Sequence, residues 1–353
     1  MTVDYIIIGQ GISGTWLSYY LLKECKSIVV IDDASLQSTS NAAGGLINPV
    51  TGRRVVTTWM AEKLMPFIWE EYSAIASLLD IEAIVQKNIV VFPAAPDLQQ
   101  AFHNRIQEHN SYIKTPGLSK DALRQQFDFP FDVFEISPCY VVQMRALLQA
   151  WRNYLNNKNS LIEDRFDETS LVFNENTVQY KNITAQKIIY ADGVGAAQSK
   201  YWQNLPFVKN KGQALIMESK HLDTTCTYKF GHLTLVFLKD NLWWAGSSNE
   251  LGFSTAQPTE DFREKTAMQL TAILKQPFVI KDHWSSLRPA TVERRPFAGI
   301  HAVHNQLAIL NGMGSKGCSL APWFAKELAA NLVHKSPINP LADVQRFHKI
   351  LSR

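Results

Sequence analysis

The 353-residue chain is 46% hydrophobic and 19% charged, which excludes a disordered protein and exceeds what one ordinary core serves, so two domains are expected. Lys plus Arg (35) almost balance Asp plus Glu (32), and a net charge of +3 gives little support for a dedicated nucleic-acid binder, though it does not exclude a local basic patch. Cys25, Cys139, Cys226 and Cys318 form no CxxC pair, so neither a disulfide framework nor a metal site is expected, and a reducing cytoplasm is the natural compartment.

Met1 and Thr2 lead straight into an apolar run, with no charged n-region or apolar h-region before it. No uncharged apolar stretch approaches the about 18 residues of a membrane span. Residues 3–8 (VDYIII) are apolar and β-branched, as a strand buried on both faces should be. Gly9, Gly11 and Gly14 follow as G-x-G-x-x-G, and TWLSYYLLKE then reads as a helix of about three turns. Residues 27–31 (SIVVI) form a second buried strand that ends in Asp32 and Asp33.

This is the β-α-β unit that a dinucleotide fingerprint requires. Gly9 permits the tight turn off the strand, Gly11 lets the backbone approach a pyrophosphate, and Gly14 lets the helix pack on the sheet. The helix start at Ile12 and Ser13 presents free N–H groups and a positive dipole end to the phosphates. Asp32 stands 18 residues after Gly14, close to the spacing of an acid that accepts ribose hydroxyls, with Asp33 beside it. An acid there disfavours NADP, but the fingerprint alone does not separate FAD from NAD.

Three later segments bear on that choice. The first is SNAAGGLINPVTGRR at 40–54: Ser40 can donate to a phosphate, and Ala43, Gly44 and Gly45 let backbone pass close to a flat group. The second is KIIYADGVGA at 187–196, a strand ending in the small turn of Ala191 and Gly193, preceded by a β-meander read at LIEDRF, LVFNE and TVQY. The third, 307–332, runs from the strand LAILN through Gly312, Gly314, Ser315 and Gly317 into a helix whose first turn holds Pro322. Trp323, Phe324, Ala325, Leu328, Leu332 and Val333 are its expected buried stripe. Backbone N–H groups there would stabilise an anionic reduced flavin, with Lys316 as an added positive charge or a merely solvated one.

With these residues in order, the chain resembles the D-amino-acid oxidase, glycine oxidase and sarcosine oxidase family of FAD enzymes. The resemblance runs from Val3 to about Leu332 and rests on IIIGQGISG, the small-residue segment at 40–45, KGQALIME, LWWAGSSNE, LRPATVERRPFAG and NGMGSKGCSLAP. It implies an α/β fold, with a doubly wound Rossmann-like FAD domain and a second α+β substrate domain on a large mixed sheet. The FAD domain is expected at 1–75, 140–200 and 285–353, and the substrate domain at 76–139 and 201–284. Within the family, LRPATVERRPFAG followed by GMGSKGCSLAP is most similar to the flavin domain of the bacterial enzymes that trim carboxymethylaminomethyl-uridine at the tRNA wobble position, without their methyltransferase domain.

The resemblance implies that Arg288, in SLRPA, binds a substrate carboxylate; pairing with Glu293 is the structural alternative. The planar guanidinium suits a carboxylate because it holds two parallel bonds and keeps its charge. Where sarcosine-oxidase-like members attach flavin through a cysteine, LRPATVERRP has none, so FAD is expected non-covalently; Cys318 reads as a packing residue. Arg53 or Arg54 is a candidate neighbour of the flavin ring. Tyr228, Trp243, Trp244 and Trp284 divide between pocket wall and core.

The leading expectation is oxidation of a CH–NH bond in a small amine or amino acid. The alternative is removal of a carboxymethyl group from a tRNA wobble uridine. A flavin hydroxylase, encouraged by ADG at 191–193, ranks low because NGMGS stands where a GDA turn is usual. A non-catalytic flavin-binding module would not need Arg288, and an NAD dehydrogenase leaves 307–332 without a purpose. Substrate identity, oxygen reactivity and oligomeric state are not legible in the sequence.

Overall fold

The computed structural model describes residues 1–35 and 38–352. In chain order, the elements that position the site begin with β1 (Thr2–Ile8), α1 (Ile12–Lys23), β2 (Ile28–Asp32), α2 (Ala61–Leu79) and β3 (Ile89–Phe92). Next come β4 (Ile113–Lys114), α3 (Lys120–Gln126), β5 (Phe134–Ile136) and α4 (Met144–Asn157). The middle holds β6 (Leu161–Glu163), β7 (Leu171–Phe173), β8 (Val178–Tyr180), β9 (Ile183–Tyr190) and β10 (Phe207–Glu218). The remainder is β11 (Thr227–Phe230), β12 (Leu233–Phe237), β13 (Leu242–Gly246), α5 (Glu260–Ile273), β14 (Val279–Thr291), β15 (Phe297–Ile300), β16 (Leu307–Asn311) and α6 (Gly317–His334).

One eight-stranded sheet runs β6-β2-β1-β9-β8-β7, with β16 also on β9 and β15 on β16. Its centre is parallel: β1 pairs in parallel with β2 and β9, and β9 with β16. Both faces of β1 are covered, Tyr5 and Ile7 entering one core and Ile6 and Ile8 the other, which is why the run is apolar without alternation. Helix α1 is buried from Ile12 to Leu21 and packs against both this sheet and α6, which also contacts β15 and β16. On α6, Phe324, Ala325, Leu328 and Leu332 are buried as expected, whereas Trp323 and Val333 are only partly covered.

The expected meander is corrected at its first strand. LVF and VQY do form antiparallel β7 and β8 ahead of β9, but LIE is β6, a parallel edge strand on β2. Leu161 pairs with Val30, a partner 131 positions away, so no local pattern could show it.

The second eight-stranded sheet runs β14-β10-β13-β12-β11-β3-β5-β4 and is mostly antiparallel, with β11 and β3 parallel. Alternation fixes its two faces. Leu215, Met217, Tyr228, Leu235, Trp243 and Ala245 face a core closed by Leu123 and Phe127 near α3 and by Leu270 of α5. The neighbouring positions point to the other face, which looks onto the first sheet and carries much of the site. Among the described residues no helix is long and apolar enough to cross a membrane.

A cavity between the two sheets

A cavity of about 970 Å³ lies between the carboxyl ends of β1, β2, β9 and β16 and the open face of the second sheet. Ligands of open parallel sheets bind at this end of the strands. The turn after β1 is tight because Gly9 has φ +91, and a Cβ there would sit 2.9 Å from the Ala191 carbonyl oxygen. Gly14 is packed harder: its added Cβ would lie 1.9 Å from the Gly9 oxygen, so α1 approaches the strand turn as only glycine allows. Gly14 accordingly lies behind the wall, while Gly9, Gly11, Ile12 and Ser13 line the cavity. Ser40 Oγ accepts the Ile12 N–H at 3.0 Å, and its own proton remains to be donated outward. The Ser13 and Gly14 N–H groups lack intrahelical partners by position. This cradle fits a pyrophosphate.

Of the two acids at the end of β2, Asp32 makes the more bonds within the chain. Asp32 Oδ2 accepts the Gln10 N–H at 2.8 Å, and Oδ1 takes the Ala34 N–H at 2.9 Å and the Arg152 guanidinium at 2.7 Å. Arg152, from α4, reaches on to Glu163 of β6 at 2.9 Å. Both oxygens of Asp32 are thus engaged. Asp33 also lines the cavity and uses one oxygen, on the Ser35 N–H at 3.1 Å, so it is the freer acceptor for ribose hydroxyls.

In the small-residue segment the flat neighbour belongs to the chain itself. An added Cβ on Gly44 would meet the Trp244 ring at 2.8 Å, and the Trp244 indole N–H donates to the Ala42 carbonyl at 3.1 Å. Ala43, Gly44, Gly45 and Trp244 all line the cavity. Arg53 and Arg54 do not; both are exposed in a hairpin (Val50–Thr51 with Val56–Thr57), which corrects the expectation that one stands beside the flavin. Of the other aromatic residues, Trp284 lines the cavity, while Tyr228 and Trp243 are buried in the core of the second sheet.

Ala191 and Gly193 line the cavity, and so does Asp192 between them, which the sequence reading passed over. Burial pushes the Asp192 carboxyl up to about 7, against the lowering by backbone hydrogen bonds. Asn311 Nδ2 donates to Asp192 Oδ1 at 3.4 Å and to the Gly193 carbonyl at 3.0 Å, tying β16 to the turn after β9. The available signal was an acid inside a small-residue turn that closes a buried strand.

At the last loop, Gly314, Ser315 and Gly317 line the cavity. Gly312 packs behind it, where a Cβ would lie 2.7 Å from Thr291 Cγ2. Lys316 does not line the cavity; burial and then the charges of Arg295 and Arg294 lower its proton affinity. Cys318 lines the wall with its Sγ 3.5 Å from Met144 Sδ, and burial pushes its thiol up to about 12, as for a packing residue.

Arg288 is mostly buried on β14. Its Nη1 donates to Asn210 Oδ1 at 2.9 Å and to the Ser248 carbonyl at 3.0 Å, both neutral acceptors. Its guanidinium lies flat on β10, where a Cβ on Gly212 would come within 2.0 Å of Nη2. Among the described residues no carboxylate lies within ion-pair distance of it; Glu293 pairs with Arg346 at 3.2 Å instead. Burial opposes its charge, and Glu250 offsets part of that effect. Glu250 itself accepts from Gln213 at 2.7 Å and lies 3.8 Å from the buried Lys211. A largely buried cation held by neutral groups, with Nε and Nη2 unbonded among the described residues, has donors free for an anion. Asn210, Gly212 and Ser248, which build it, were not found from the sequence because β10 and β14 meet only through long-range pairing.

The sequence matches the family described as FAD dependent oxidoreductase (DAO) over residues 4–331. A glycine oxidase of Bacillus subtilis (strain 168) is 22% identical over 363 residues, covering 95% of this chain and 94% of that protein. A glycine oxidase of Bacillus licheniformis is 23% identical over 367 residues, covering 95% and 94%. Among solved structures, glycine oxidase from Geobacillus kaustophilus superposes with a TM-score of 0.78 at 17% identity, over 97% of this chain and 98% of that one. Iminodiacetate oxidase from Chelativorans sp. BNC1 superposes with a TM-score of 0.77 at 18% identity, over 95% and 96%.

Proposed function

Because this chain belongs to the DAO family of FAD-dependent oxidoreductases, we propose that it oxidises the CH–NH bond of an amino acid or N-substituted glycine whose carboxylate is held by Arg288. The observation that carries this reading is the mostly buried guanidinium whose bonds, among the described residues, go to Asn210 and the Ser248 carbonyl, with no carboxylate within ion-pair distance. Bound FAD, held non-covalently, supplies the hydride acceptor. The part played by the chain is binding and orientation. Two parallel bonds from Nε and Nη2 fix the carboxylate plane, and a fixed carboxylate fixes the direction of the adjacent Cα–H. Asn210 and Gly212 act as positioning residues, one by its bond and the other by leaving room. The chain needs no side-chain nucleophile, only a substrate amine that arrives neutral.

For the cofactor, we assign the pyrophosphate to the cradle of Gly9, Gly11 and Ser13 with Ser40, and the ribose to Asp33. Ala43 to Gly45, Ala191, Gly193 and the loop of Gly314, Ser315 and Gly317 make the remaining wall. The segments 1–75, 140–200 and 285–353 are assigned to the cofactor domain, with 76–139 and 201–284 carrying substrate.

The test is anaerobic reduction of purified holoprotein followed by absorbance. Glycine, sarcosine, D-amino acids, proline, iminodiacetate, a carboxymethylaminomethyl nucleoside and tRNA bearing that group would be offered in turn. Bleaching by a free amine or amino acid is the expected result, and reoxidation by air then separates oxidase from dehydrogenase. Bleaching by the nucleoside or the tRNA alone would move the substrate to nucleic acid. Bound flavin that none of them bleaches would overturn the assignment of Arg288.

A further inference from the structure

At the far end of the same cavity stands a second cation that has no partner among the described residues. Lys229 lies on β11 and lines the cavity, and burial alone lowers its proton affinity. Among the described residues its Nζ has neither a hydrogen bond nor an ion pair. Its neighbours Tyr228 and Phe230 face the packed core, so the alternation of the strand directs Lys229 to the open face.

Cross-strand register shows what lies between Lys229 and the Arg288 end. Lys229 is opposite Thr234, Thr234 opposite Gly246, Gly246 opposite Ala214, and Ala214 opposite Trp284. All five line the cavity. The three between the ends are small, so the row forms a shallow trough with an ammonium at one end and an indole at the other, narrowed at Gly246 by the Trp244 ring, which an added Cβ would meet at 3.0 Å. Four strand spacings of about 4.8 Å make this trough about 19 Å wide between the outer Cα atoms. Arg288 lies on β14 four residues beyond Trp284. His232, exposed in the β11–β12 turn, also lines the cavity beside Lys229.

A receptor for one small amino acid needs no second cation in its cavity. Burial disfavours the charge of Lys229, and an anion meeting its ammonium in the cavity would offset that. We propose that the substrate is elongated and dianionic: its α-carboxylate sits on Arg288, and a second carboxylate or phosphate at its far end sits on Lys229. The inference rests on the reading of Arg288 as the carboxylate anchor. It adds the substrate class, an amine whose N- or side-chain substituent ends in a negative charge about 10 Å away: about 19 Å across the strands and about 13 Å along β14 put the two Cα atoms about 23 Å apart, less the reach of the two side chains.

The test uses oxidised holoprotein and calorimetry with straight-chain α,ω-dicarboxylates of increasing length, each against the monocarboxylate of equal carbon number. ω-Phosphonocarboxylates in parallel would distinguish phosphate from carboxylate at the distal end. Wild type should bind the diacid about 10- to 100-fold more tightly once it is long enough to span the trough, and show no such gap for short diacids. Lys229→Gln should abolish the gap and leave monocarboxylate affinity within about twofold, whereas Lys229→Arg should keep it and so exclude a folding defect. A gap absent at every length, or one that survives in Lys229→Gln, overturns the proposal even when monocarboxylates bind through Arg288. Failure of every carboxylate to bind overturns this proposal and the Arg288 reading together. A Lys229-dependent gap in a protein whose flavin no amine reduces would sink the amine-oxidation reading while this site stands.

Discussion

At the scale of single residues, the chemistry sits in groups whose charge is not matched locally. Arg288→Lys keeps the charge but removes the planar fork, so kcat/KM for the best substrate should fall about 100-fold, mainly through KM, with flavin content unchanged. Steady-state kinetics on flavin-replete protein would check this, and an unchanged KM would remove Arg288 from the substrate. Asp192 gives a pH signature. Its folded carboxyl is raised to about 7, above its ordinary value of 3.8. Folding therefore favours its neutral form, and the stability this brings is present below about 4 and lost as pH rises through about 7. The melting temperature of the apoprotein should carry a downward component between about pH 4 and 7 that Asp192→Asn removes. Parallel profiles for the two proteins would show that Asp192 ionises freely. The place of Arg288 on the cavity wall was legible from its motif position. Asp192 was not, because nothing in ADG says that the turn is mostly buried.

At the scale of elements, the legible parts were those built from neighbours in sequence. The first β-α-β unit, the strand–loop–helix at 307–332 and the last two strands of the meander follow from local periodicity and glycine placement. The misassigned strand, Leu161–Glu163, has the same local character as the meander strands and differs only in its distant partner. Whether Lys316 faces the cavity was open in the sequence, because the direction in which a side chain leaves a short turn depends on what surrounds the turn; its absence from the cavity wall leaves the other reading. The close packing of α1 on the strand turn can be separated from backbone strain by two glycines. Gly14→Ala meets the Gly9 oxygen at 1.9 Å and should cost about 1–3 kcal/mol or more, with flavin lost on purification. Gly52→Ala has open space around it but φ +75, and should cost only about 1 kcal/mol with flavin retained. Thermal melts and the flavin-to-protein absorbance ratio read both effects. Equal costs would show that crowding at Gly14 is relieved by a small shift of the helix.

At the scale of the whole molecule, the cavity depends on contacts that join distant stretches of chain, and α4 supplies two of them from one helix. Arg152 ties Asp32 to Glu163 at the edge of the first sheet. Seven residues earlier, Arg145 stacks on the Trp284 ring of β14 at 3.5 Å and donates through Nε to the Asn41 carbonyl at 3.0 Å. It therefore bridges the small-residue segment next to the phosphate cradle and the strand that carries Arg288. Trp284 has one further tie, its indole N–H to Asp282 at 2.7 Å, which lies on the same strand and does nothing to hold the two sheets together. Arg145 is exposed, so the stack contributes about 0.5–1 kcal/mol, enough to change a rate but not to decide folding. Arg145→Ala should leave the melting temperature of the apoprotein nearly unchanged and speed release of bound FAD by about 2- to 5-fold, measured as the rise of free-flavin fluorescence after dilution. Arg145→Lys retains a cation over the ring but loses the fork that also reaches Asn41, and should fall between the two. A release rate indifferent to both substitutions would mean that the two sheets hold the cavity closed through their strand contacts alone, and that the arginine merely covers the indole.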